Sequence, residues 1–513
     1  MTTPNSNFYS VAAIKEMEAN HLAAHPKISL MQRAGEAVAE MALDMLKQKK
    51  AKTILVMAGP GNNGGDAWVA AEALRKAKKS VTVLALGEKR WTEPVAKDAY
   101  ATFNANGGAV VKAWPRSAEF AVVIDGLFGT GLSKPPTGAF ADAIRLCNAQ
   151  RAENRCVVIA IDVPSGLNAD TGVAYEPTII ADRTLTFVGA KPGLFTHDGK
   201  DFAGLVNIET LDIEPPDSLA SLLTRDDARR LIPKRRANSH KGNYGSIGVV
   251  GGAEGMTGAA ILAARAALHM GPGKVFLGLF DKDRPSFDLL HPEIMVRDAK
   301  LLVKDHHMSA FAIGMGMGET GAASLLALLS LNKPTLVDAD ALNVVAKNPS
   351  IRAAFEAKKA ENTRPFLPFV LTPHPGEAAG LLGCSIAQVQ MDRPSTATRL
   401  AQDFACVVVL KGAGSIIAHP DGRYVINTTG NAGMASGGMG DALAGMIAAL
   451  MAMGLDTWDA ARLGVYLHGA AGDAALHHGM GPHGLTASEV IFEARTLLNS
   501  ELDDHHNDAT EED

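Results

Sequence analysis

The stretch Thr53-Ile54-Leu55-Val56-Met57-Ala58-Gly59-Pro60-Gly61-Asn62-Asn63-Gly64-Gly65-Asp66 indicates the fold class of the first half of the chain. Its first six residues have the length and apolar character of a buried parallel strand. The glycines that follow satisfy G-x-G-x-x-G between a strand and a helix, where backbone N–H groups can approach an anionic ligand. Asn63 and Asp66 could instead bind a cation or a substrate hydroxyl, or the segment could be a plain tight turn capped by Asp66.

Short apolar runs and helical segments alternate along the rest of the chain, which favours βαβ units and parallel sheets. Further strands are predicted at 81–86, 121–124, 157–161, 246–250, 310–313, 335–337, 369–371 and 406–410. A break at 213–217 contains two prolines and separates two such series. We therefore predict an α/β protein with one domain at 1–215, a linker at 216–224, a second domain at 225–500 and a disordered acidic tail at 501–513.

The composition is that of an ordinary globular protein. Apolar residues make up 47% and charged residues 20% of the 513 residues, which excludes a disordered or fibrous chain. The 49 basic and 55 acidic residues give a net charge of −6, so no electrostatic reason exists to expect nucleic acid or an anionic membrane as a partner. The four cysteines form no CxxC pair, and the first ten residues lack the features of a secretory signal. These observations predict a cytoplasmic protein.

Two more predicted strands of the first half are followed by a carboxylate and glycines. Asp125-Gly-Leu-Phe-Gly-Thr-Gly-Leu follows one strand, and Asp162-Val-Pro-Ser-Gly follows the next. In open α/β sheets, ligands bind at the carboxyl ends of the strands. A single aspartate at such a position is as often a helix N-cap. Three such motifs after three strands together predict a pocket that contains carboxylates, a hydroxyl and many backbone donors.

The second half carries motifs suited to phosphoryl transfer. Gly437-Gly438-Met439-Gly440-Asp441 precedes a helix, whose N-terminal N–H groups can stabilise a transferring phosphoryl group while Asp441 accepts a hydroxyl proton. Lys411-Gly412-Ala413-Gly414-Ser415 follows a strand and could hold a nucleotide phosphate, although the chain has no P-loop. His374 stands between two prolines and could donate to a ligand or be structural. His477, His478 and His483 lack further metal ligands, which favours a surface role.

Together these motifs resemble the bifunctional NAD(P)H-hydrate repair enzymes over nearly the whole chain. The first half is similar to the NAD(P)H-hydrate epimerase domain, a Rossmann-like three-layer α/β/α fold, through the motifs that begin at Gly59, Asp125 and Asp162. The second half is similar to the ADP/ATP-dependent NAD(P)H-hydrate dehydratase, a ribokinase-like α/β fold. This likeness rests on His240-Lys-Gly, Gly251-Gly-Ala-Glu-Gly-Met-Thr-Gly-Ala-Ala260, Thr372-Pro-His-Pro-Gly-Glu377, Lys411-Gly-Ala-Gly-Ser415 and Gly438-Met-Gly-Asp441.

The resemblance implies ligand-binding residues in both halves. In the first half, the hydrated dinucleotide would be bound by Asn62, Asn63, Gly64, Gly65, Asp66, Gly129, Thr130, Gly131, Leu132, Ser133, Lys134, Pro135 and Asp162. Potassium would be bound there by Asn63, Asp125 and Ser165. In the second half, the hydrate would be contacted by Ala260, Gly316, Gly318, His374 and Asp441. The adenine nucleotide would be held by Lys411, Gly412, Ala413, Gly414, Ser415 and Gly440.

The resemblance also implies the reactions. The epimerase domain would interconvert the R and S forms of NAD(P)H hydrate, with Asp125 and Asp162 as candidate acid/base residues that the sequence does not distinguish from ion ligands. The dehydratase domain would phosphorylate the hydroxyl at ring carbon 6 of the S form at the expense of ADP or ATP, with Mg²⁺ and with Asp441 as the base. Elimination of phosphate would then restore NAD(P)H. The epimerase family further suggests a homo-oligomer.

Three other functions are compatible with parts of the pattern. A fused vitamin or sugar kinase would share the second half and would leave phosphate on an alcohol. An NAD-dependent dehydrogenase would use the glycine-rich stretch from Gly59, with Glu88 as the ribose-binding acid. A non-catalytic binding protein would turn over no nucleotide.

Overall fold

A computed structural model of the chain describes residues 6–47, 49, 53–87, 93–115, 119–361 and 366–507. It divides into two compact units, Met1–Ala220 and Ser221–Asp513. The division falls inside the segment 216–224 that the sequence predicts as a linker. Each unit has its own sheet and its own hydrophobic core.

The first unit is built on a seven-stranded, fully parallel sheet. Its strands are β1 Thr53–Ala58, β2 Ser80–Ala85, β3 Ala109–Val111, β4 Val122–Gly126, β5 Val157–Ile161, β6 Arg183–Phe187 and β7 Leu205–Glu209. Their order is β3-β2-β1-β4-β5-β6-β7. The order reverses between β1 and β4, so a crevice opens outside the carboxyl ends of these two strands.

Helices cover both faces of this sheet. They are α1 Val11–Ala24, α2 Leu30–Lys47, α3 Asn62–Lys76, α4 Pro94–Ala105, α5 Gly138–Ala152 and the short α6 Gly199–Phe202. Alternate residues of β1 belong to different cores: Ile54 and Val56 pack with α2 and α3, whereas Leu55 and Met57 pack with α5. This period of two explains why the strand is apolar at every position, as the sequence shows.

The second unit is built on a ten-stranded sheet. Its strands are β8 Ala220–Leu222, β9 Ser246–Gly251, β10 Lys274–Leu279, β11 Met295–Asp298, β12 Ala310–Ile313, β13 Thr335–Val337, β14 Phe369–Leu371, β15 Val407–Leu410, β16 Ser415–Ala418 and β17 Tyr424–Asn427. Their order is β11-β10-β9-β12-β13-β14-β15-β16-β17-β8. The strands from β9 to β15 pair in parallel, and β16 and β17 pair antiparallel.

The helices of the second unit include a group that packs on one face of the sheet and forms the largest core. The unit's helices are α7 Arg225–Arg230, α8 Thr257–Met270, α9 Ala299–Leu302, α10 Ala322–Leu331, α11 Asp340–Lys347, α12 Pro349–Glu361, α13 Pro375–Leu382, α14 Ile386–Met391, α15 Arg393–Phe404, α16 Met439–Ala452, α17 Thr457–His477 and α18 Ala487–Asn507. The apolar helix α16 is buried at nearly every position from Ala442 to Ala452. This burial explains its uniformly apolar sequence. None of the helices that the structure describes is long and apolar enough to cross a membrane.

Two helix boundaries differ from the sequence-based expectation. The sequence places the glycine-rich residues between a strand and a helix, whereas helix α3 begins at Asn62, so Asn62–Asp66 form its first turns. Helix α18 continues to Asn507, into the segment predicted as a disordered tail. Residues 508–513 of that segment lie outside the described residues.

Candidate active sites

The glycines after β1 are required by close backbone packing at the carboxyl edge of the first sheet. A Cβ on Gly59 would lie 1.9 Å from the Leu127 carbonyl oxygen, and a Cβ on Gly64 would lie 1.9 Å from the Gly59 carbonyl oxygen. No other residue fits at either position without a shift of the backbone. The loops after β1 and β4 therefore meet directly, and the residues between them are brought into one site.

Asp125 is the most buried member of this site. Its side chain is fully buried, and both carboxylate oxygens accept hydrogen bonds: Oδ1 from Ser165 Oγ at 2.7 Å and Leu127 N at 3.2 Å, and Oδ2 from Ser165 N at 2.8 Å. Burial raises the pKa of Asp125 to about 6, although the bonds from Ser165 and Leu127 N oppose the rise. No lysine or arginine pairs with this carboxylate in the part of the chain that the structure describes.

The Phe128 carbonyl oxygen connects the three residues predicted to bind potassium. It accepts a hydrogen bond from Asn63 Nδ2 at 2.9 Å and lies 3.1 Å from Ser165 Oγ, which donates its proton to Asp125. The arrangement gathers a carboxylate, a hydroxyl, a backbone carbonyl and the amide of Asn63. Oxygen atoms of this kind are the ligands that hard cations prefer, and a buried carboxylate without a cationic partner gains from a bound cation.

Asp162 lies in a second, separate cluster after β5. It adopts a left-handed backbone conformation with φ of 64°, which directs its carboxylate back toward β6. Its Oδ1 accepts hydrogen bonds from Lys191 Nζ at 2.6 Å, Thr186 Oγ1 at 3.1 Å and Phe187 N at 3.3 Å. Lys191 is fully buried and also donates to Thr186 and the Phe187 carbonyl. Among the described residues, no donor bonds to Oδ2 of Asp162, so that oxygen is available to a ligand.

Two further carboxylates surround Asp162. Burial and the charges of Asp162 and Glu18 raise the pKa of Asp66 well above its usual value. Burial and the charge of Asp162 also raise the pKa of Glu18, although Lys191 opposes the rise. Glu18 comes from α1, far from the glycine-rich motifs in the sequence. Three carboxyl groups and one ammonium therefore share one partly buried site, an arrangement suited to holding and moving protons.

The loop 129–135 forms the exposed rim of the first site. A Cβ on Gly129 would lie 3.2 Å from Cγ of Asn63, so the loop begins beside the potassium candidates. Most of its remaining residues are exposed. The structure thus brings every predicted ligand residue of the first half to one edge of the sheet. Asp125 and Asp162 nevertheless have different hydrogen-bond partners, Ser165 for the first and Lys191 for the second.

In the second unit, a buried charge cluster lies at the carboxyl ends of β13, β14 and β15. Lys411 Nζ is 2.6 Å from Asp338 Oδ1 and 3.9 Å from Glu377 Oε2. Burial acts to lower the pKa of Lys411, but Asp338, Glu377 and Asp441 together raise it above its usual value. Burial and Asp338 raise the pKa of Glu377 to about 7, against the opposing charge of Lys411.

Asp441 lies beside this cluster, in the first turn of α16. The preceding residue, Gly440, would place a Cβ 3.4 Å from Lys411 Nζ and 3.8 Å from Asp338 Oδ2. Burial and the charge of Asp338 raise the pKa of Asp441 to about 6, although Lys411 opposes the rise. Gly438 caps the helix with φ of 88°, and free N–H groups at such a helix start favour an anion. The side chain that can accept a proton and the backbone groups that can bind a phosphoryl group therefore lie together.

His374 caps helix α13 with its ring. Its Nδ1 accepts hydrogen bonds from Gly376 N at 2.9 Å and Glu377 N at 3.3 Å, and the backbone N–H of His374 donates to Glu377 Oε2 at 2.7 Å. An Nδ1 that accepts leaves the proton of the neutral ring on Nε2. Burial and Lys411 lower the pKa of His374, which favours the neutral ring, and its Nε2 lies 3.3 Å from Glu377 Oε1.

The predicted hydrate contacts come from two neighbouring loops. Ala253 N donates to the Gly316 carbonyl at 2.6 Å, which joins the loop after β9 to the loop after β12. A Cβ on Gly251 would lie 2.2 Å from the Met315 carbonyl oxygen and 3.3 Å from Cβ of Ala260. Gly318 N donates to Asp340 Oδ2 at 2.9 Å. Ala260, Gly316 and Gly318 are therefore held at the same edge of the sheet as Asp441.

A buried arginine holds the loop 411–415 in place through the backbone carbonyls of the loop. Arg393 Nη2 lies 3.3 Å from the carbonyl oxygens of Leu410 and Lys411 and 3.5 Å from that of Gly414. Its side chain is 1% exposed, and burial lowers its pKa to about 10. Ser415 Oγ closes the loop by donating to the Gly412 carbonyl at 3.0 Å. The arginine fixes the loop so that its backbone N–H groups can face a ligand.

Several residues of the two sites were missed by the sequence analysis. Asp338 directly follows the predicted strand at 335–337, as Asp125 and Asp162 follow theirs, so the sequence carries the same local signal for it. Lys191 is a lone lysine in an otherwise apolar stretch, an available signal for a buried partner. Glu18 and Arg393 have no such local signal. Glu88 lies outside the described residues. Nδ1 of His478 lies 3.1 Å from Oε1 of Glu493.

Comparison with known proteins identifies the family. The model of the YjeF-related protein N-terminus matches residues 27–193, and that of NAD(P)H-hydrate dehydratase matches residues 247–492. The bifunctional NAD(P)H-hydrate repair enzyme Nnr of Escherichia coli (strain K12) is 36% identical over 492 residues, which cover 93% of this chain and 91% of that protein. The chain belongs to the family of bifunctional NAD(P)H-hydrate repair enzymes. This membership confirms the fused epimerase and dehydratase that the sequence predicts.

A second relative and a solved structure are also similar to this chain. The bifunctional NAD(P)H-hydrate repair enzyme of Leishmania major is 37% identical and covers 92% of this chain and 89% of that protein. The ADP/ATP-dependent NAD(P)H-hydrate dehydratase from Bacillus subtilis, co-crystallised with ATP/Mg²⁺, is 30% identical with a TM-score of 0.47 and covers 55% of this chain and 98% of that one. Among the residues that the structure describes in this repair enzyme, no group of three or more His, Cys, Asp or Glu side chains could hold a metal ion.

Proposed function

We propose that the second unit phosphorylates the hydroxyl on ring carbon 6 of the S form of NAD(P)H hydrate and that Asp441 is the base. The observation that carries this assignment is the position of Asp441, in the first turn of α16 and beside Gly440, which lies against Lys411 and Asp338. Its pKa of about 6 keeps the carboxylate ionised at pH 7 and close to the range in which general bases are most effective.

The reaction divides into two steps that use the same groups. Asp441 takes the hydroxyl proton while the oxygen bonds to the terminal phosphorus of ADP or ATP, and the bond to the departing AMP or ADP breaks. The N–H groups at the start of α16 and the ammonium of Lys411 stabilise the charge on the transferring group. The ring nitrogen then expels phosphate from carbon 6, and loss of the proton from the adjacent carbon restores the dihydronicotinamide. The half-exposed ring of His374, whose Nε2 lies 3.3 Å from Glu377 Oε1, would contact the substrate from the loop after β14.

In the first unit, we propose that Asp162 carries the proton and Asp125 binds the cation. Asp125 is fully buried and uses both oxygens in hydrogen bonds, so a substrate cannot reach it. Asp162 is 16% exposed and keeps Oδ2 without a donor among the described residues. Inversion can proceed when Asp162 takes the hydroxyl proton, the bond from carbon 6 to the ring nitrogen breaks and the nitrogen gains a proton. The ring then closes on the opposite face.

We propose K⁺ for the first site and Mg²⁺ for the second. The oxygen atoms of Asn63, Asp125, Ser165 and Phe128 suit a potassium ion, which would offset the buried charge of Asp125 and fix the loop that faces the substrate. Mg²⁺ commonly binds through one or two carboxylates and the phosphates of a nucleotide. The second site offers the carboxylates of Asp338, Glu377 and Asp441 around Lys411, which would hold such an ion together with the phosphates of ADP or ATP.

We also propose that the protein is cytoplasmic and forms a homo-oligomer. All four cysteines are free thiols, and Cys147, Cys156 and Cys406 are buried, which supports a reducing compartment such as the cytoplasm. Phe287, Leu289 and Leu290 are 52%, 83% and 70% exposed, and exposed apolar side chains on one loop support a homo-oligomer.

A coupled assay with two variants tests the division of labour. The wild-type protein is incubated with mixed epimers of NADH hydrate, Mg²⁺, K⁺ and either ADP or ATP, and the return of dihydronicotinamide absorbance is followed. Wild type should recover all of the substrate, Asp162→Asn should stop when the S form is exhausted, and Asp441→Asn should recover none. Dehydration by Asp441→Asn at a rate near that of wild type would refute the role of Asp441. Full recovery by Asp162→Asn would refute that of Asp162.

A further inference from the structure

A groove beside the second site has no role in the chemistry described above. It encloses about 600 Å³ and is lined in part by Gly318 and Asp340. These two residues are joined by the hydrogen bond from Gly318 N to Asp340 Oδ2 at 2.9 Å. The charge of Asp340 also contributes to the raised pKa of Asp441. One end of the groove therefore adjoins the reaction centre.

Helix α11 forms one wall of the groove with a single face. Four residues of this helix line the cavity: Asp340, Asn343, Val344 and Lys347. Their spacing of three, one and three residues places them in one row along the helix. Seven residues of α-helix span roughly 10 Å. The row therefore begins at the reaction centre with Asp340 and ends about one nucleotide's length away with Lys347.

Charge is distributed unevenly along this groove. Glu319 and Asp340 lie at the end near the reaction centre, whereas Lys347 lies at the far end and is the only basic residue of the lining. The ammonium of Lys347 is exposed and forms no ion pair within the described part of the chain. Ala322, Val344 and Pro349 add apolar surface. The near end suits sugar hydroxyls, the apolar wall suits a planar ring, and the far end suits an anion.

The groove is distinct from the proposed nucleotide loop. It follows β12 and β13, on the side of Gly316 and Gly318, whereas the loop 411–415 follows β15. Strand β14, which carries His374 after it, lies between β13 and β15. A molecule in the groove is thus placed on the side of the hydrate and not on the side of the phosphoryl donor.

We propose that this groove binds the dinucleotide hydrate beyond its nicotinamide ring and that Lys347 pairs with one of its phosphoryl groups. The proposal rests on the proposed function of the second site and extends it to substrate selection. If Lys347 contacts the 2′-phosphate, it discriminates NADPH hydrate from NADH hydrate. If it contacts the bridging pyrophosphate, it contributes equally to both.

The test compares Lys347→Ala, Lys347→Arg and a matched control, Lys300→Ala, an exposed helical lysine of α9 outside the groove. The values of kcat and KM are measured for the S form of NADH hydrate and of NADPH hydrate, and KM is also measured for ADP. Loss of one exposed charge-assisted hydrogen bond should raise KM for a hydrate about five- to tenfold with little change in kcat. Lys347→Arg should restore most of the loss, and Lys300→Ala should match wild type.

Each outcome decides the proposal. A rise in KM for NADPH hydrate alone supports it and identifies the 2′-phosphate, and an equal rise for both hydrates supports it and identifies the pyrophosphate. Unchanged KM for both hydrates overturns it, as does a rise in KM for ADP that equals the rise for the hydrates. A wild-type protein that does not dehydrate either substrate would instead refute the proposed function, and this result is visible before any variant is made.

Discussion

Replacing Asp441 by asparagine should stabilise the second unit at pH 8 while it abolishes dehydration. Burial and Asp338 raise the pKa of Asp441 to about 6, so the ionised side chain is held in the folded state at a cost. Relative to an ordinary aspartate, this rise corresponds to about 3 kcal/mol of folding free energy. Because the side chain is partly exposed, solvent screening reduces the expected gain to about 2 kcal/mol. A neutral amide of the same shape avoids that cost.

The sign of the pH dependence follows from the same shift. The folded protein binds the Asp441 proton more tightly than the unfolded chain does, so this stabilising contribution is full below the unfolded pKa near 4. It is lost as the pH rises through about 6. Wild type and Asp441→Asn should therefore differ most at pH 8, and the difference should fall to about one third by pH 4.5.

Thermal unfolding without nucleotide measures this difference. A gain of about 2 kcal/mol should raise the Tm of the second unit by roughly 4 °C at pH 8. Asp288→Asn is the control of opposite sign. Burial acts to raise the pKa of Asp288, but the bonds from Arg265 and two backbone N–H groups lower it overall. That variant should lose stability at pH 8 and lose less at low pH. An Asp441→Asn protein no more stable than wild type at pH 8, or equally more stable at both pH values, would refute the reasoning.

Three further variants test the supports of the two sites. Lys191→Met leaves the Asp162 carboxylate without its counter-charge, so epimerisation should fall more than 100-fold, and the first unit should lose about 3 kcal/mol; full recovery of mixed epimers would contradict this. Ser165→Ala removes a donor to Asp125 and a proposed cation ligand, so the KCl concentration for half-maximal epimerisation should rise about tenfold, and an unchanged KCl titration argues against the cation site. Arg393→Met frees three loop carbonyls, so KM for ADP should rise about tenfold with a smaller change for the hydrate. Equal effects on both substrates would exclude a specific role for the loop.

The positions of the main elements could be read from the sequence because buried parallel strands are apolar on both faces. The predicted strand from Thr53 to Ala58 coincides with β1, and its alternate residues enter two cores. The tight turn at the glycines after it could also be predicted, because backbones approach each other so closely there that no side chain fits at Gly59 or Gly64. The start of α3 was missed because asparagine and glycine at 62–65 favour turns by local propensity, whereas packing against β4 holds them in a helix.

Local sequence by itself determined the two series of strands, the glycine-rich turns and the aspartates that end the strands, because these depend on neighbours along the chain. The tertiary structure decided which aspartate has which partner. Asp125 lies near the end of β4 and Asp162 directly follows β5, yet one bonds to Ser165 in full burial and the other pairs with Lys191 from a distant segment. Likewise, the pKa values of Asp441 and Glu377 depend on Asp338 and Lys411, which approach them only when β13, β14 and β15 pair. Burial and long-range charge are properties of the folded chain, and no local pattern encodes them.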